Sequence, residues 1–242
     1  MPDANPTAAM LVIGDEILSG RTRDANMHYL AGRLTETGID LKEVRVVSDD
    51  AGAIVAALNA LRAGFTHVFT SGGIGPTHDD ITADCVARAF DGPIDVRADA
   101  RAILVAHYDR TGLELNEARL RMARIPNGAT LIDNPVSSAP GFTIENVHVM
   151  AGVPKIFQAM VDGVLPGLAA GRPTLSQSVR VERGEGSIAA SLGDVADRWP
   201  DLSIGCYPFQ DGATYGANVV VRGLDPAAVD AAMADLKTTL GL

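Results

Sequence analysis

The sequence contains little cysteine. Cys85 and Cys206 are the only two cysteines among 242 residues, and they form neither a CxxC pair nor the spacing of a metal-ligand set. This argues against a disulfide scaffold and against a zinc finger. We expect two small buried side chains in a protein of a reducing compartment.

Long hydrophobic runs are also missing. No stretch reaches the ~20 apolar residues that a membrane span needs. Residues 1–7 have neither the basic region nor the apolar core of a signal peptide. We therefore expect a soluble, cytoplasmic protein that has no membrane partner.

Basic residues are in the minority. The chain has 20 Lys and Arg against 30 Asp and Glu, a formal net charge of −10 and a pI of about 4.8. An acidic surface repels the phosphate backbone, so we expect no nucleic-acid partner. Backbone N–H groups and metal ions can still bind phosphate locally, so small phosphorylated ligands remain possible.

The residues that are present indicate an α/β protein. Hydrophobic residues make up 47% and charged residues 21%, as in a globular protein with a core. Buried strands and amphipathic helices alternate with short connections, which is typical of parallel βαβ units. The predicted strands cover residues 8–13, 43–47, 66–70 and 146–150. The predicted helices cover residues 26–37, 51–63, 81–90 and 154–165, with one or two more within 97–124. We expect a three-layer, parallel-rich sheet with helices on both faces.

A second, smaller unit follows a Pro- and Gly-rich stretch at residues 166–174. It shows a β-α-β-β-α pattern, which predicts a small α+β domain. Its elements are predicted at residues 176–182, 187–198, 203–208, 217–222 and 226–240. The predicted domains are therefore residues 1–168 and 174–242.

A glycine-rich loop follows the predicted strand over residues 66–70. Its sequence is Ser71-Gly72-Gly73-Ile74-Gly75-Pro76-Thr77, which is neither a Walker A motif nor GxGxxG. Parallel sheets bind ligands at the carboxyl ends of strands, and glycines let backbone N–H groups approach a phosphate. We expect phosphate binding here, with a side chain at Gly73 filling the place of the phosphate. The alternative is a turn that merely packs tightly.

Carboxylates follow this loop and two other predicted strands. Asp79 and Asp80 come directly after the loop, Asp49 and Asp50 follow the second strand, and Glu16 follows the first. Carboxylates repel a phosphate unless a divalent cation lies between them, and Mg²⁺ prefers such oxygen ligands. Convergence of these three loops would build a metal-phosphate site. The alternative is that one residue of the Asp79-Asp80 pair caps the following helix, and for Asp50 the cap is favoured.

Histidines add little to this site. His78 lies within the loop and could touch a phosphate. For His28, His67, His107 and His148 the sequence indicates no partners, and we expect ordinary surface or core side chains.

These segments resemble a known family. Thr70 to Thr82 is similar to the TGGxGPTxDDxT signature of the CinA-like (competence/damage-inducible protein A) branch of the MoaB/Mog molybdopterin-binding superfamily. Gly14 to Gly20, followed by Asn26, resembles the first loop of that branch, G-x-E-L-L-x-G and then D-x-N. Val47-Ser48-Asp49-Asp50 resembles its V-x-D-D/N turn.

The resemblance extends through the rest of the chain. Asn134-Pro135 and Ala139-Pro140-Gly141-Phe142 resemble N-P-x-G-x-A-P-G-F, and Gly152-Val153-Pro154 resembles P-G-V-P. Residues 176–242, with Gly205-Cys206-Tyr207-Pro208, resemble the small domain that follows in the same proteins. The sequence departs from the pattern at Ser137, at Ala151 and at the pair Lys155-Ile156. These departures concern the rim of the pocket and not its phosphate loop.

The resemblance implies two chemistries. One is cleavage of a nucleotide pyrophosphate such as ADP-ribose, dependent on a divalent cation (Mg²⁺, Mn²⁺ or Co²⁺). The other is binding or adenylylation of molybdopterin. For hydrolysis, Asp80 and Asp49 are the expected catalytic residues and, with Glu16 and Asp79, the expected metal ligands. The expected ligand-binding residues are Asn26, Ser71, Gly72, Gly73, Gly75, Pro76 and Thr77.

A third possibility belongs to a different class. The chain could be a non-catalytic binding module that keeps the pocket, although the three acidic loops argue mildly against this. In each case we expect the partner to be a small nucleotide or pterin ligand, and we expect the chain to form a homo-oligomer.

Overall fold

The computed structural model describes residues 4–242. The described residues through Gly171 form one compact unit, and Arg172–Leu242 form a second. No helix within residues 4–242 is both long and apolar enough to cross a membrane.

The first unit contains eight strands and seven helices. Its strands are β1 (Thr7–Ile13), β2 (Asp40–Val47), β3 (His67–Ser71), β4 (Ile94–Val96), β5 (Arg124–Pro126), β6 (Thr130–Ile132), β7 (Gly141–Ile144) and β8 (Val147–Met150). Its helices are α1 (Asp15–Leu18), α2 (Asn26–Thr37), α3 (Ala51–Gly64), α4 (Thr82–Ala89), α5 (Ala98–Thr111), α6 (Glu117–Leu120) and α7 (Pro154–Val164). Short 3₁₀ turns at Arg121–Ala123 and Leu165–Gly167 complete it.

Six of these strands form one sheet, in the order β2-β1-β3-β8-β7-β6. β2, β1, β3 and β8 run parallel, whereas β7 is antiparallel to both β8 and β6. β4 and β5 form a separate antiparallel pair. The parallel strands end at the same edge of the sheet, so the loops that follow them are brought together.

The core lies on both faces of this sheet. In β1, Ala9, Leu11 and Ile13 pack on one face with α3 and α4, whereas Met10 packs on the other face with α2 and α7. A strand buried on both faces has no polar positions, which explains the continuous apolar run that predicted it.

The second unit is a two-layer α+β structure. Its elements are β9 (Leu175–Val181), α8 (Glu185–Arg198), β10 (Ser203–Asp211), β11 (Thr214–Gly223) and α9 (Pro226–Leu240). The strands form an antiparallel sheet in the order β10-β11-β9. Both helices contribute to one apolar core with Val181, Val219 and Val221 of the sheet.

The predicted fold class is confirmed, and several local signals were correct. α2 ends at Gly38, which has a φ of 72°. Asp50 caps α3 by accepting a hydrogen bond from the N–H of Ala53 at 2.8 Å. Pro154 occupies the first turn of α7. These signals act within one turn of chain, so the sequence alone carries them.

Other predictions need correction. β2 begins at Asp40 rather than at residue 43, and α4 covers Thr82–Ala89 rather than 81–90. The sequence pattern did not predict α1 or the strands β4 to β7, each three or four residues long. Elements of three or four residues are too short to show a periodicity, so the sequence pattern does not reveal them.

His67 and His148 also differ from expectation, because they are partners of each other. Both are buried, and His148 Nε2 lies 3.4 Å from His67 Nδ1. Since the carbonyl of Ala169 can only accept, His67 carries its proton on Nε2, and its Nδ1 accepts from His148 Nε2–H. His148 Nδ1 then accepts from the Thr143 hydroxyl at 3.0 Å. Because two N–H groups cannot face each other at this contact, the two imidazoles cannot both be charged.

Candidate functional site

A cavity of about 520 Å³ opens where the parallel strands end. Ile13 is the last residue of β1, Asp49 follows β2, Gly72 follows β3 and Ala151 follows β8. The cavity is lined by Ile13, Gly14, Glu16, Thr22, Asp49, Gly72, Gly73, Ile74, Gly75, Pro76, Asp79, Asp80, Met122, Asn134, Ser137, Ala139, Ala151, Gly152, Val153, Pro154 and Ile156.

The glycines of the loop are required by packing inside the protein. Gly72 and Gly73 have φ angles of 109° and 69°, which residues with a Cβ rarely adopt. A Cβ at Gly72 would overlap the carbonyl oxygen of Ile13, and one at Gly73 would overlap Thr82 Oγ1. The expectation that a side chain at Gly73 would fill the place of a phosphate is therefore wrong, because it would displace Thr82 instead. The glycines alone do not require a ligand.

Asp80 closes the loop. Its Oδ2 accepts hydrogen bonds from the backbone N–H of Thr77 at 2.8 Å and from the Thr77 hydroxyl at 2.6 Å. A Cβ at Gly75 would lie 2.6 Å from the same oxygen. α4 has no side-chain cap, so the alternative that one residue of the Asp79-Asp80 pair caps this helix is wrong.

Asp79 lies beside Asp80 on the cavity wall. The nearby Thr77 hydroxyl and the backbone N–H of Asp79 lower the pKa of its carboxyl, and the nearby His78 lowers it further. Asp79 therefore keeps its negative charge at neutral pH. The imidazole of His78 is almost completely exposed and does not line the cavity.

Asp49 connects two of the acidic loops. Its Oδ2 accepts a hydrogen bond from the backbone N–H of Asp15 at 3.0 Å, which ties the turn after β2 to the start of α1. Glu16, the next residue of α1, also lines the cavity. The structure thus brings Glu16, Asp49, Asp79 and Asp80 to the wall of one cavity.

These carboxylates do not form a cage made of protein ligands alone. Within residues 4–242, no group of three or more His, Cys, Asp or Glu side chains is arranged to hold a metal ion. Mg²⁺ typically uses one or two carboxylates together with phosphate oxygens of the ligand, which this donor set fits. The assignment of the four carboxylates as metal ligands stays a prediction.

Three of the predicted ligand-binding residues lie outside the cavity lining. Thr77 is exposed and acts through Asp80. Asn26 and Ser71 line a separate recess of about 60 Å³. There the Asn26 amide donates to Ser71 Oγ and to the Gly152 carbonyl, each at 2.8 Å, and joins the loop after β3 to the loop after β8. Their contact with a ligand stays a prediction.

Several residues that line the cavity are not among the predicted site residues. Met122 and Ile156 are apolar, and Asn134, Ser137 and Ala139 belong to the loop before β7. The buried Asn134 organises that loop by donating to Ser137 Oγ at 2.6 Å and to the Ala139 carbonyl at 2.8 Å. Ser137, which departs from the family pattern, therefore serves as a hydrogen-bond partner inside the rim.

The charged side chains that line the cavity are all negative. Four carboxylates face the cavity, and its lining residues include no lysine, arginine or histidine. Apolar side chains such as Ile74, Met122 and Val153 occupy other parts of the wall. Negative groups concentrated in a partly apolar cleft attract cations and repel an anion that arrives alone.

The comparisons with known proteins give the family. The profile described as "Probable molybdopterin binding domain" matches residues 9–170. The chain belongs to this family. The profile described as "FAD synthase, middle domain" matches residues 173–241. The first match covers the unit that holds the cavity, and the second covers the small α+β unit.

Individual relatives agree with this assignment. A CinA-like protein of Geobacter sp. is 39% identical over 165 residues, which are 66% of this chain and 40% of that protein. A probable FAD synthase of Caenorhabditis briggsae is 31% identical over 232 residues, which are 86% of this chain and 44% of that protein. The chain thus spans less than half the length of either relative.

A solved structure extends the match to the fold. The CinA protein of Thermoplasma acidophilum is 31% identical, with a TM-score of 0.62, over 68% of this chain and 99% of that chain. The resemblance to the CinA-like branch of the MoaB/Mog superfamily, predicted from the loops, is confirmed.

Proposed function

We propose that this chain is a metal-dependent nucleotide pyrophosphatase, a hydrolase that splits a nucleotide pyrophosphate such as ADP-ribose or a related dinucleotide. The observation that carries the proposal is the negative charge of the cavity lining. Glu16, Asp49, Asp79 and Asp80 share the wall with the glycine loop, and no basic side chain lines the cavity. A pyrophosphate can enter such a cavity only when a cation compensates the charge.

The cation would be held by Asp80 and Asp49, and Glu16 and Asp79, which line the same cavity, are further candidate ligands. When bound, a divalent cation of this kind neutralises phosphate charge and polarises a phosphoryl oxygen. Mg²⁺, Mn²⁺ and Co²⁺ are the proposed candidates.

The chain's own groups orient the reactants. Gly72, Gly73 and Gly75 line the cavity. The N–H of Gly72 donates to the Met150 carbonyl at 3.2 Å, so the N–H groups of Gly73 and Gly75 are the proposed donors to phosphate oxygens. The N–H of Asp15 holds one oxygen of Asp49, and Thr77 holds one oxygen of Asp80, so both carboxylates are oriented before a ligand arrives. The apolar wall limits water around the phosphates, which strengthens these interactions.

The experiment is a test of hydrolysis on a panel. ADP-ribose and FAD are compared with AMP as a substrate that lacks a pyrophosphate; FAD is included because one relative bears the name FAD synthase. Each is incubated with Mg²⁺, Mn²⁺, Co²⁺ or a chelator, and AMP release is followed by chromatography. We expect AMP from at least one dinucleotide, only with a metal. Absence of turnover with every metal would refute the proposal.

Molybdopterin binding or adenylylation is the second candidate. The family profile over residues 9–170 favours it, because that family is described as molybdopterin binding. Tight binding of molybdopterin together with no dinucleotide turnover would favour this function. If neither occurs, a non-catalytic binding module is the better explanation, which agrees with the packing roles of the loop glycines. Self-association of the chain stays a prediction, and size-exclusion chromatography with light scattering tests it.

A further inference from the structure

Arg121 lies behind the glycine loop, in the 3₁₀ turn Arg121–Ala123. It lines a recess of about 20 Å³ beside the main cavity. The recess and the main cavity share the lining residues Gly73, Ile74, Gly75, Asp80 and Met122. The recess that Arg121 lines is therefore a neighbour of the main cavity, and the glycine loop contributes to the wall of both.

The hydrogen bonding of Arg121 is incomplete. Its Nη2 donates to the backbone carbonyl of Asp80 at 3.3 Å, and its Nε is buried without a partner. Arg124, which lines the same recess, also has a buried Nε without a partner, but its guanidinium forms an ion pair with the Asp84 carboxylate. A neutral carbonyl does not compensate a full positive charge, and a buried donor without an acceptor is unfavourable. Arg121 therefore lacks the anionic partner that Arg124 has.

The size of the recess matches one oxygen atom. A volume of about 20 Å³ holds a single water-sized group, since about 10–15 Å³ suffices for one water. Arginine is well suited to bind phosphate oxygens, because its planar guanidinium presents several N–H donors.

We propose that Arg121 binds an anionic oxygen of the ligand's phosphate at the base of the glycine loop. This inference rests on the proposed phosphate site. Arg121 supplies a positive side chain that the lining of the main cavity lacks, and the phosphate supplies the acceptor that Arg121 lacks. It makes the site specific for phosphorylated ligands, because an uncharged nucleoside gains nothing from the contact.

The test measures binding rather than turnover. Inorganic pyrophosphate, AMP and adenosine are titrated by calorimetry at one fixed Mg²⁺ concentration. The variant Arg121→Met keeps the length of the side chain and removes its charge, and Arg121→Lys restores the charge without the planar fork. The control is Arg119→Met, since the Arg119 guanidinium lies 4.8 Å from the centre of the Tyr108 ring and donates to the Glu114 carbonyl.

We expect Arg121→Met to weaken pyrophosphate and AMP binding by about 10- to 100-fold, the range for a charged hydrogen bond. Adenosine binding should not change, Arg121→Lys should bind with intermediate affinity, and Arg119→Met should behave as the wild type. The Tm of Arg121→Met should stay within about 3 °C of the wild type, because the substitution should not disrupt the packing of the protein.

Four results would overturn the proposal. They are wild-type affinity of Arg121→Met for pyrophosphate, an equal loss of affinity for adenosine together with a lower Tm, an equal effect of Arg119→Met, and no binding of either anion by the wild type. The hydrolysis panel is independent of this result. If the wild type binds pyrophosphate through Arg121 but splits no dinucleotide, the pyrophosphatase proposal fails and this one stands.

Discussion

Thr77 donates two hydrogen bonds to one oxygen atom of Asp80. The backbone N–H and the hydroxyl of Thr77 both reach Oδ2, at 2.8 and 2.6 Å. The other carboxylate oxygen, Oδ1, is then the one that can face a cation. Asp80 thus combines a role in loop closure, which needs an acceptor, with a proposed role in metal binding, which needs a charge.

The substitution Asp80→Asn separates these two roles. The amide oxygen can still accept from Thr77, so we expect Tm to change by only a few degrees. The charge is lost, so dinucleotide turnover should fall by about 100-fold or more, as for other electrostatic groups in active sites. Thr77→Val is the control: it removes one donor, keeps the charge of Asp80 and should lose less than about 10-fold. Wild-type turnover of Asp80→Asn would rule out Asp80 as a metal ligand.

Asp49 allows a comparison of two substitutions at one position. Asp49→Asn can keep the hydrogen bond from the N–H of Asp15, whereas Asp49→Ala removes both bond and charge. If the charge is what matters, both variants should need a higher Mg²⁺ concentration for half-maximal turnover, and only Asp49→Ala should also lose stability, by about 1 kcal/mol. Metal titration of turnover and urea unfolding provide the two readouts. An unchanged Mg²⁺ requirement in both variants would contradict the assignment.

Gly73 is predicted to be a structural requirement of the loop. Gly73→Ala forces a Cβ against Thr82 Oγ1 at a φ of 69°. Gly112→Ala is the matched control, because Gly112 has a φ of 68° and nothing within 4 Å of the new Cβ. We expect Gly112→Ala to cost about 1–2 kcal/mol from backbone strain alone, and Gly73→Ala to cost clearly more. If urea unfolding shows the same loss of stability in both variants, the Thr82 side chain can move aside without cost and the prediction is wrong.

The buried pair His67 and His148 predicts a pH dependence of stability. Burial lowers the pKa of His148 to about 4 and also lowers the pKa of His67. In the unfolded chain a histidine takes up its proton near pH 6.5. The contribution of the neutral pair to the free energy of unfolding should therefore be fully present above about pH 6.5. It should fall as the pH drops toward 4, because the unfolded state binds the proton first. The contribution of His148 over this range is at most about 3 kcal/mol.

The variant His148→Phe isolates this contribution. It cannot take up a proton, so its free energy of unfolding should fall less steeply between pH 6.5 and 4 than that of the wild type, although its value at pH 7 is lower because Thr143 and His67 lose a partner. His78→Asn is the control, since His78 is exposed and its loss should leave the wild-type slope unchanged. If the free energy of unfolding changes with pH equally in the wild type and in His148→Phe, the assignment of a neutral histidine pair is refuted.

The sequence by itself determined those features that depend on neighbours within a few residues. The apolar run of β1, the left-handed Gly38 at the end of α2, the Asp50 cap and Pro154 in the first turn of α7 were all predictable. The same holds for the placement of three acidic loops at one edge of the sheet, because parallel strands end on the same side. The motifs of those loops were also sufficient to identify the CinA-like family.

Tertiary structure alone decided which distant groups meet. Arg121 lies 41 residues from Asp80 in the chain, and Asn26 lies 126 residues from Gly152, yet each pair shares a hydrogen bond. Nothing local distinguishes Arg121 from Arg119, and nothing local shows that His148 meets His67, because partners are set by how the elements pack. The reason for Gly72 and Gly73 also came from packing: a positive φ and a neighbouring oxygen atom exclude a Cβ at both positions, and the sequence records only that none is present.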